Sequence, residues 1–113
     1  MSGVARRADT VLATDTHVVN GATVKLPFVG PLTVGLVESV LVNGRAIAVD
    51  GSIALNMPPP HPGSNQGRVV AARNVTAGGR PVACVGDKAI TCNQPVDLPV
   101  GTVSTGSTDV TVG

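Results

Sequence analysis

The stretch that decides the fold is RPVACVGDKAITC, residues Arg80 to Cys92. Its pattern predicts a hairpin: a short strand, a Gly-Asp turn and a second strand that ends in a thiol. VLVNGRAIAVDGS, from Val40 to Ser52, has the same order of features, and DVTVG, from Asp109 to Gly113, repeats the beginning of that unit. One glycine of each copy recurs at intervals of 35 and 34 residues, at Gly44, Gly79 and Gly113. Self-similarity at a fixed period predicts a repeat architecture, here three copies of one β unit.

The composition predicts an all-β protein with short strands and a thin core. Phe28 is the only aromatic residue, whereas the chain has 21 Val and 11 Thr. These β-branched residues suit strands better than helices. The 14 Gly and 9 Pro predict frequent turns. With 113 residues the chain is expected to be one domain, residues 1–113, and a domain with so thin a core needs support from a metal, a disulfide or a partner subunit.

Charge and hydropathy exclude several classes of function. The net charge of +1 comes from scattered residues, and no aromatic side chains alternate with basic ones, so nucleic-acid binding is not expected. No apolar run approaches the ~20 residues of a membrane-spanning helix. Arg6 and Arg7 are not followed by an apolar segment, which argues against a secretory signal.

Local signals divide the rest of the chain. Asn20-Gly21 predicts a two-residue hairpin turn, and Asn43-Gly44 predicts the turn of a second hairpin, from Val40 to Val49. The segment VGPLTVGLVES, residues 29–39, is too interrupted for a helix and is either an inserted hairpin or a wide loop. The proline-rich segment from Pro58 to Pro62 is expected to be extended and to restrict His61. Gly101 to Thr105 and Asp109 to Val112 are predicted to form the last hairpin, with its turn at Gly106-Ser107.

The best-kept copy of the repeat resembles the PAAR-repeat family. The motif of that family is Pro-Ala-Ala-Arg followed by Val-Gly-Asp, and PVACVGD, residues 81–87, keeps the proline, one alanine and Val-Gly-Asp, with Cys84 in the position of the arginine. AIAVDG, residues 46–51, is a more degenerate copy. The segments 38–44 and 106–113 are similar to the strands that precede each motif in the family.

The resemblance implies a small pointed β cone of three repeated hairpin units with pseudo-threefold symmetry. Members of the family cap and sharpen the trimeric, VgrG-like spike of contractile injection systems, one copy per trimer, and help to pierce the target membrane. The machine would be a type VI secretion system, an extracellular phage-like particle or a phage tail. The chain would be cytoplasmic until assembly and then lie at the tip of the particle, in transient contact with the target membrane. Many members carry effectors as fused domains, which is not expected for this single domain.

The candidate metal ligands are the only His and Cys residues of the chain, which are His17, His61, Cys84 and Cys92. Structural zinc takes four such groups in a tetrahedron. The resemblance assigns His17, His61 and Cys92 to a metal, usually zinc, at the tip of the cone. The fourth ligand stays open between Cys84, Asp15, Asp50, Asn56 and water, and iron also accepts His and Cys.

Two alternatives compete with the spike tip. One is a β-rich virion or surface decoration protein without a metal, in which the His and Cys residues are incidental. The other is a zinc-dependent hydrolase, which would need Asp15, Asp50 or Asp87 as a general base. No Ser-His-Asp set or pair of carboxylates can be argued from the sequence, so the chain is not expected to be an enzyme.

Overall fold

The fold is all-β, as the composition predicts. The computed structural model describes residues 2–57, 65–93 and 96–112, and none of these residues lies in a helix. Twelve strands occur in the described ranges: β1 Ser2–Gly3, β2 Thr10–Val19, β3 Ala22–Val34, β4 Val37–Val42, β5 Arg45–Ile47, β6 Ile53–Leu55, β7 Gln66–Val70, β8 Thr76–Ala77, β9 Arg80–Pro81, β10 Lys88–Thr91, β11 Leu98–Val103 and β12 Thr111–Val112.

Six strands close a barrel, and six form three short ribbons. The barrel is antiparallel, in the order β10-β11-β2-β3-β6-β7. The ribbons are the antiparallel pairs β1/β12, β4/β5 and β8/β9. We call these three pairs the base ribbons. The molecule is elongated, with extents of 45, 24 and 22 Å along its principal axes.

Two Asn-Gly turns lie where the sequence predicts hairpins. Asn20 and Gly21 both have positive φ, 51° and 80°, and connect β2 to β3. Asn43 and Gly44 connect β4 to β5 with φ of 53° and 78°. Positive φ at both central residues is the property of a type I′ turn. The segment 29–39, which the sequence left undecided, continues β3 as far as Val34 and then enters β4.

Two predicted hairpins are wrong. β9 and β10, the strands of the segment 80–92, do not pair with each other, since β9 pairs with β8 while β10 pairs with β7 and β11. β12 pairs with β1 through Ser2 and Val112, and not with β11, which pairs with β10 and β2. The strands and the turn of the segment 80–92 lie close to their predicted positions, but the partners of its strands lie elsewhere in the chain.

A closed ring of backbone hydrogen bonds joins three segments that are distant in sequence. The N–H of Ala5 donates to the carbonyl of Ala83 at 2.9 Å, Ala83 donates to Ala48 at 2.9 Å, and Ala48 donates to Ala5 at 3.0 Å. All three alanines are fully buried. We call this arrangement the alanine ring. The small methyl side chain suits a position where three backbones approach one another.

The same turn follows each alanine of the ring. In each turn a backbone N–H donates to the side-chain oxygen of the residue three positions later, at 2.8 to 2.9 Å, in the pairs Arg6–Asp9, Val49–Ser52 and Cys84–Asp87. The later residue donates its own N–H back to the carbonyl of the earlier one. The residue before the acceptor has positive φ in all three turns, at Ala8, Gly51 and Gly86. The turn therefore leads each segment from a base ribbon into the barrel.

The barrel core is built around Phe28, the largest fully buried side chain. Three buried glycines face inward near it. A Cβ added at Gly30 or Gly67 would lie 3.0 or 3.2 Å from the Phe28 ring, and one at Gly101 would lie 3.1 Å from the Cβ of Ala89. Fully buried aliphatic side chains complete this cluster, namely Val11, Leu32, Val69 and Val103. A second cluster lies among the base ribbons and contains Val4, Val42, Ile47, Val49, Ala77, Val82 and Cys84.

Candidate metal centre

Two of the three predicted ligands lie on segments that contact each other. His17 is on β2 and fully buried, two residues after the fully buried Asp15. Successive side chains of a strand point to opposite faces, so these two share one face. Cys92 directly follows β10 and is partly buried. Both cysteines are free thiols.

A network of buried hydrogen bonds ties the His17 segment to the Cys92 segment. The hydroxyl of Thr91 donates to Oδ1 of Asp15 at 2.5 Å. The N–H of Thr16 donates to Oδ1 of Asn93 at 2.7 Å. The amide nitrogen of Asn93 donates to the carbonyl of Thr91 at 3.1 Å and to its hydroxyl at 3.2 Å. The neighbours of Cys92 on both sides are therefore bonded to the two residues that precede His17.

The strand registers explain why these segments meet. β11 lies between β10 and β2 in the barrel, but it pairs with β2 only through Leu12 and Val11. From Ala13 onward β2 pairs with β3 on one side, with no β11 partner on the other. The end of β10 can therefore reach β2 directly, through Thr91 and Asp15.

His61 lies outside the described residues, so nothing is concluded about its position. In the ranges that the structure describes, no group of three or more His, Cys, Asp or Glu residues could hold a metal ion. Among the described candidates, His17 and Asp15 share one strand and Cys92 lies on the segment bonded to it, but these three do not by themselves form such a group.

The candidates for a fourth ligand are in different regions. Cys84 lies in the cluster among the base ribbons. Burial raises the pKa of its thiol, and Asp87 raises it further against the opposing effect of Arg73. Asp50 accepts the N–H of Ala71.

Asn56 and Asp15 are the other two protein candidates. The side-chain oxygen of Asn56 accepts the N–H of Val29 at 3.0 Å, and its amide nitrogen donates to Asn65. Asp15 is the candidate that shares a strand and a face with His17. An imidazole, a carboxylate and a thiol are donor types that zinc accepts, but Asp15, His17 and Cys92 do not form a group that could hold a metal ion in the described part of the chain.

Sequence reasoning missed several residues that organise this structure. Thr91 and Asn93 flank Cys92, and their polarity at the end of a strand that enters the barrel was a usable signal. The first copy of the turn was also missed. VARRAD, residues 4–9, shares the pattern apolar-Ala-x-x-x-Asp or Ser with IAVDGS, residues 47–52, and VACVGD, residues 82–87.

A hydrolase would need a cavity beside the metal ligands. A cavity of about 180 Å³ lies on the barrel wall, below the ~300 Å³ at which ligand pockets usually begin. Its lining residues are Ile53, Gln66, Arg68, Ile90 and Asp97. None of the predicted metal ligands lines this cavity, so it does not favour the hydrolase alternative.

Comparisons with known proteins supply no relative of this chain. No protein-family model matches it, and neither a curated protein nor a solved structure matches it. Among the described residues, no helix is long and apolar enough to cross a membrane.

Proposed function

We propose that this chain is the metal-bound tip of the spike of a contractile injection system, seated one copy per trimer on a VgrG-like spike protein. The observation that carries the proposal is the alanine ring. Three separate segments of one chain hold one another through the same backbone hydrogen bond, at Ala5, Ala48 and Ala83. A single chain built in this way can offer three equivalent positions to a partner with true threefold symmetry.

We infer that the molecule is a cone with pseudo-threefold symmetry. The recurring turn and the three base ribbons support this inference, since each ribbon is joined to the barrel in the same way. The elongated shape, 45 Å against 24 and 22 Å, suits a pointed object. The base ribbons would form its broad end, and the segments of His17 and Cys92 would approach its narrow end.

Three exposed valines, one in a base ribbon and two directly before one, are the proposed contact with the trimer. Val40, Val75 and Val110 are spaced at intervals of 35 residues. They are 37%, 48% and 39% exposed. The residue that follows each valine occupies the same place in its ribbon. Leu41 pairs with Ala46, Thr76 pairs with Pro81, and Thr111 pairs with Gly3. A threefold partner could cover all three side chains with the same group from each of its subunits.

The metal would stabilise the narrow end. His17 and Cys92, with His61 as the resemblance implies, would hold zinc, and the fourth ligand stays open, with Asp15 as the candidate nearest to His17 in sequence. Structural zinc contributes directly to folding energy, and this small core has a single aromatic residue. The chain would also be available to carry effectors, as many members of the resembled family do.

The test combines the chain with a purified VgrG-like trimer and measures the mass of the complex by native mass spectrometry. We expect one chain per trimer. Binding of three chains, or none, would contradict the proposal. The triple variant Val40→Asp, Val75→Asp, Val110→Asp should abolish the complex while the circular dichroism spectrum stays that of the wild type. A matched triple variant on the barrel wall, Leu12→Asp, Val29→Asp, Leu98→Asp, should leave the complex intact.

A further inference from the structure

We propose that Thr91 and Asn93 are positioning residues that hold Cys92 and His17 in register for the metal. This inference rests on the proposed metal site and deepens it. We call Asp15, Thr16, Thr91 and Asn93, with the hydrogen bonds between them, the clamp. None of these bonds belongs to the regular pairing of the barrel strands.

The clamp interlocks two tripeptides, each of which contains one predicted ligand. Asp15-Thr16-His17 lies on β2, and Thr91-Cys92-Asn93 runs from the end of β10. The hydroxyl of Thr91 reaches Asp15, and the side-chain oxygen of Asn93 accepts the N–H of Thr16. Two bonds at different points along each tripeptide resist both sliding and rotation. The backbones of His17 and Cys92 are therefore fixed by bonds that these two residues themselves do not make.

A second pair of bonds restrains Cys92 locally. The amide nitrogen of Asn93 donates to the carbonyl and the hydroxyl of Thr91, at 3.1 and 3.2 Å. These bonds connect the residue before Cys92 with the residue after it, which closes a short loop that contains the backbone of Cys92. Cys92 is thereby held close to one backbone conformation before any metal binds. Preorganisation of this kind lowers the entropy cost of forming a site.

The clamp is buried, which makes its bonds strong and their loss costly. Asp15 and Thr91 are fully buried, and Asn93 is 4% exposed. A buried polar group that is left without its partner is costly, because it stays desolvated and no other hydrogen bond replaces the one that it lost. Residues that orient metal ligands in this way typically change metal affinity by about 10- to 100-fold when they are removed.

A second Thr–Asp pair with the same bonding pattern lies remote from the predicted ligands, although Thr105 is exposed whereas Thr91 is fully buried. The hydroxyl of Thr105 donates to Oδ1 of Asp9 at 3.0 Å and accepts the N–H of Thr10 at 2.9 Å. The hydroxyl of Thr91 likewise donates to an aspartate and accepts an N–H. Neither Thr105 nor Asp9 adjoins a predicted ligand in sequence. Loss of the Thr105 bonds therefore reports the structural effect of removing such a hydroxyl.

The test compares Thr91→Val, Thr91→Ser and Thr105→Val in the full chain. Zinc affinity is measured by competition with a chromophoric chelator, the ligand set by the absorption spectrum of the Co²⁺ form, and folding by thermal unfolding of the metal-free protein. We expect Thr91→Val to weaken zinc binding by about 10- to 100-fold and to alter the cobalt spectrum. Thr91→Ser should restore both, and Thr105→Val should lower only the unfolding temperature.

The outcomes separate this inference from the proposed function. Wild-type protein that binds no zinc would contradict the metal site and the clamp together. Wild-type protein that binds zinc, with Thr91→Val equal to it in affinity and cobalt spectrum, would contradict the clamp alone. If Thr91→Val does not fold, Asn93→Ala is measured in its place, since it removes the bond to Thr16. An Asn93→Ala protein with the zinc affinity of the wild type would then contradict the clamp.

Discussion

At the scale of the single residue, Phe28 determines how this small core can pack. It is the only aromatic residue of the chain and is 1% exposed. Gly30 and Gly67 leave the space that its ring occupies. Interiors pack as densely as organic crystals, so a void in place of the ring would not be filled by small movements of the valines around it.

Phe28→Ala should therefore lower the free energy of unfolding by about 3–5 kcal/mol, through lost burial and the cavity left behind. Urea denaturation followed by far-ultraviolet circular dichroism measures this change. Phe28→Leu is the control and should cost less, because it keeps most of the apolar volume. A loss below about 1 kcal/mol for the alanine variant would show that the core can collapse around the missing ring.

Asp9 gives the protein a defined pH dependence. Burial alone would raise the pKa of this carboxyl, but bonds from the Arg6 guanidinium, the Thr105 hydroxyl and the Arg6 N–H outweigh it, so the pKa is lowered. The carboxyl of the unfolded chain titrates near 3.9. The stabilisation is therefore complete above about pH 4 and is lost as the pH falls through the lower, folded-state value.

Asp9→Asn should consequently flatten the acid side of the stability curve. We expect the free energy of unfolding of the wild type to fall more steeply than that of the variant as the pH is lowered from 5 to 2. Chemical denaturation at a series of pH values measures both slopes. Asp97→Asn, at an exposed carboxylate, should retain the slope of the wild type. Equal slopes for the wild type and Asp9→Asn would contradict the assignment.

At the scale of the element, the recurring turn contains one strained residue. Ala8 has a φ of 71°, whereas the equivalent residues of the other two turns are Gly51 and Gly86, at 87° and 93°. A left-handed conformation costs a residue with a Cβ roughly 1–2 kcal/mol. The first turn therefore stores strain that the other two avoid.

Ala8→Gly should raise the free energy of unfolding by about 0.5–1 kcal/mol, the relief of strain less the added entropy of the unfolded chain. The reverse change, Gly86→Ala, should lower it by about 1 kcal/mol. A Cβ at position 86 would meet no atom within 4 Å, so this variant isolates the backbone effect from packing. Thermal and urea unfolding of both variants check the prediction, and a destabilised Ala8→Gly protein would contradict it.

The elements also indicate what the sequence could and could not predict. The turns at Asn20-Gly21 and Asn43-Gly44 follow from local conformational preference and are confirmed. The hairpin predicted over 80–92 is wrong because alternation of side chains defines a strand without identifying its partner. The segments of His17 and Cys92 meet because the pairing of β11 with β2 ends at Leu12. This register depends on contacts between distant parts of the chain, so no local sequence pattern could predict it.

At the scale of the whole molecule, the third base ribbon differs from the other two in its covalent connection. Val42 pairs with Arg45, and Ala77 pairs with Arg80, each across a two-residue turn. Val112 pairs with Ser2 in the same manner, but these residues are at opposite ends of the chain. Two residues, Gly113 and Met1, would connect them if the ends were joined.

A circular permutant should therefore fold. We expect a chain that begins at Gly79, ends at Gly78 and joins Val112 to Ser2 through Asn-Gly to keep the circular dichroism spectrum and cooperative unfolding of the wild type. The new ends lie in an exposed turn, where breaks are tolerated, and the new turn has the residues of a type I′ hairpin.

A second permutant opened between Asp50 and Gly51 is the control. It should not fold cooperatively, because the break separates two bonds of the recurring turn. The N–H of Asp50 donates to the carbonyl of Pro81 in a base ribbon, and the N–H of Gly51 donates to the carbonyl of Val69 in the barrel. Equal stability of the two permutants would contradict the view that the ring and its three turns, rather than the order of the segments along the chain, hold the molecule together.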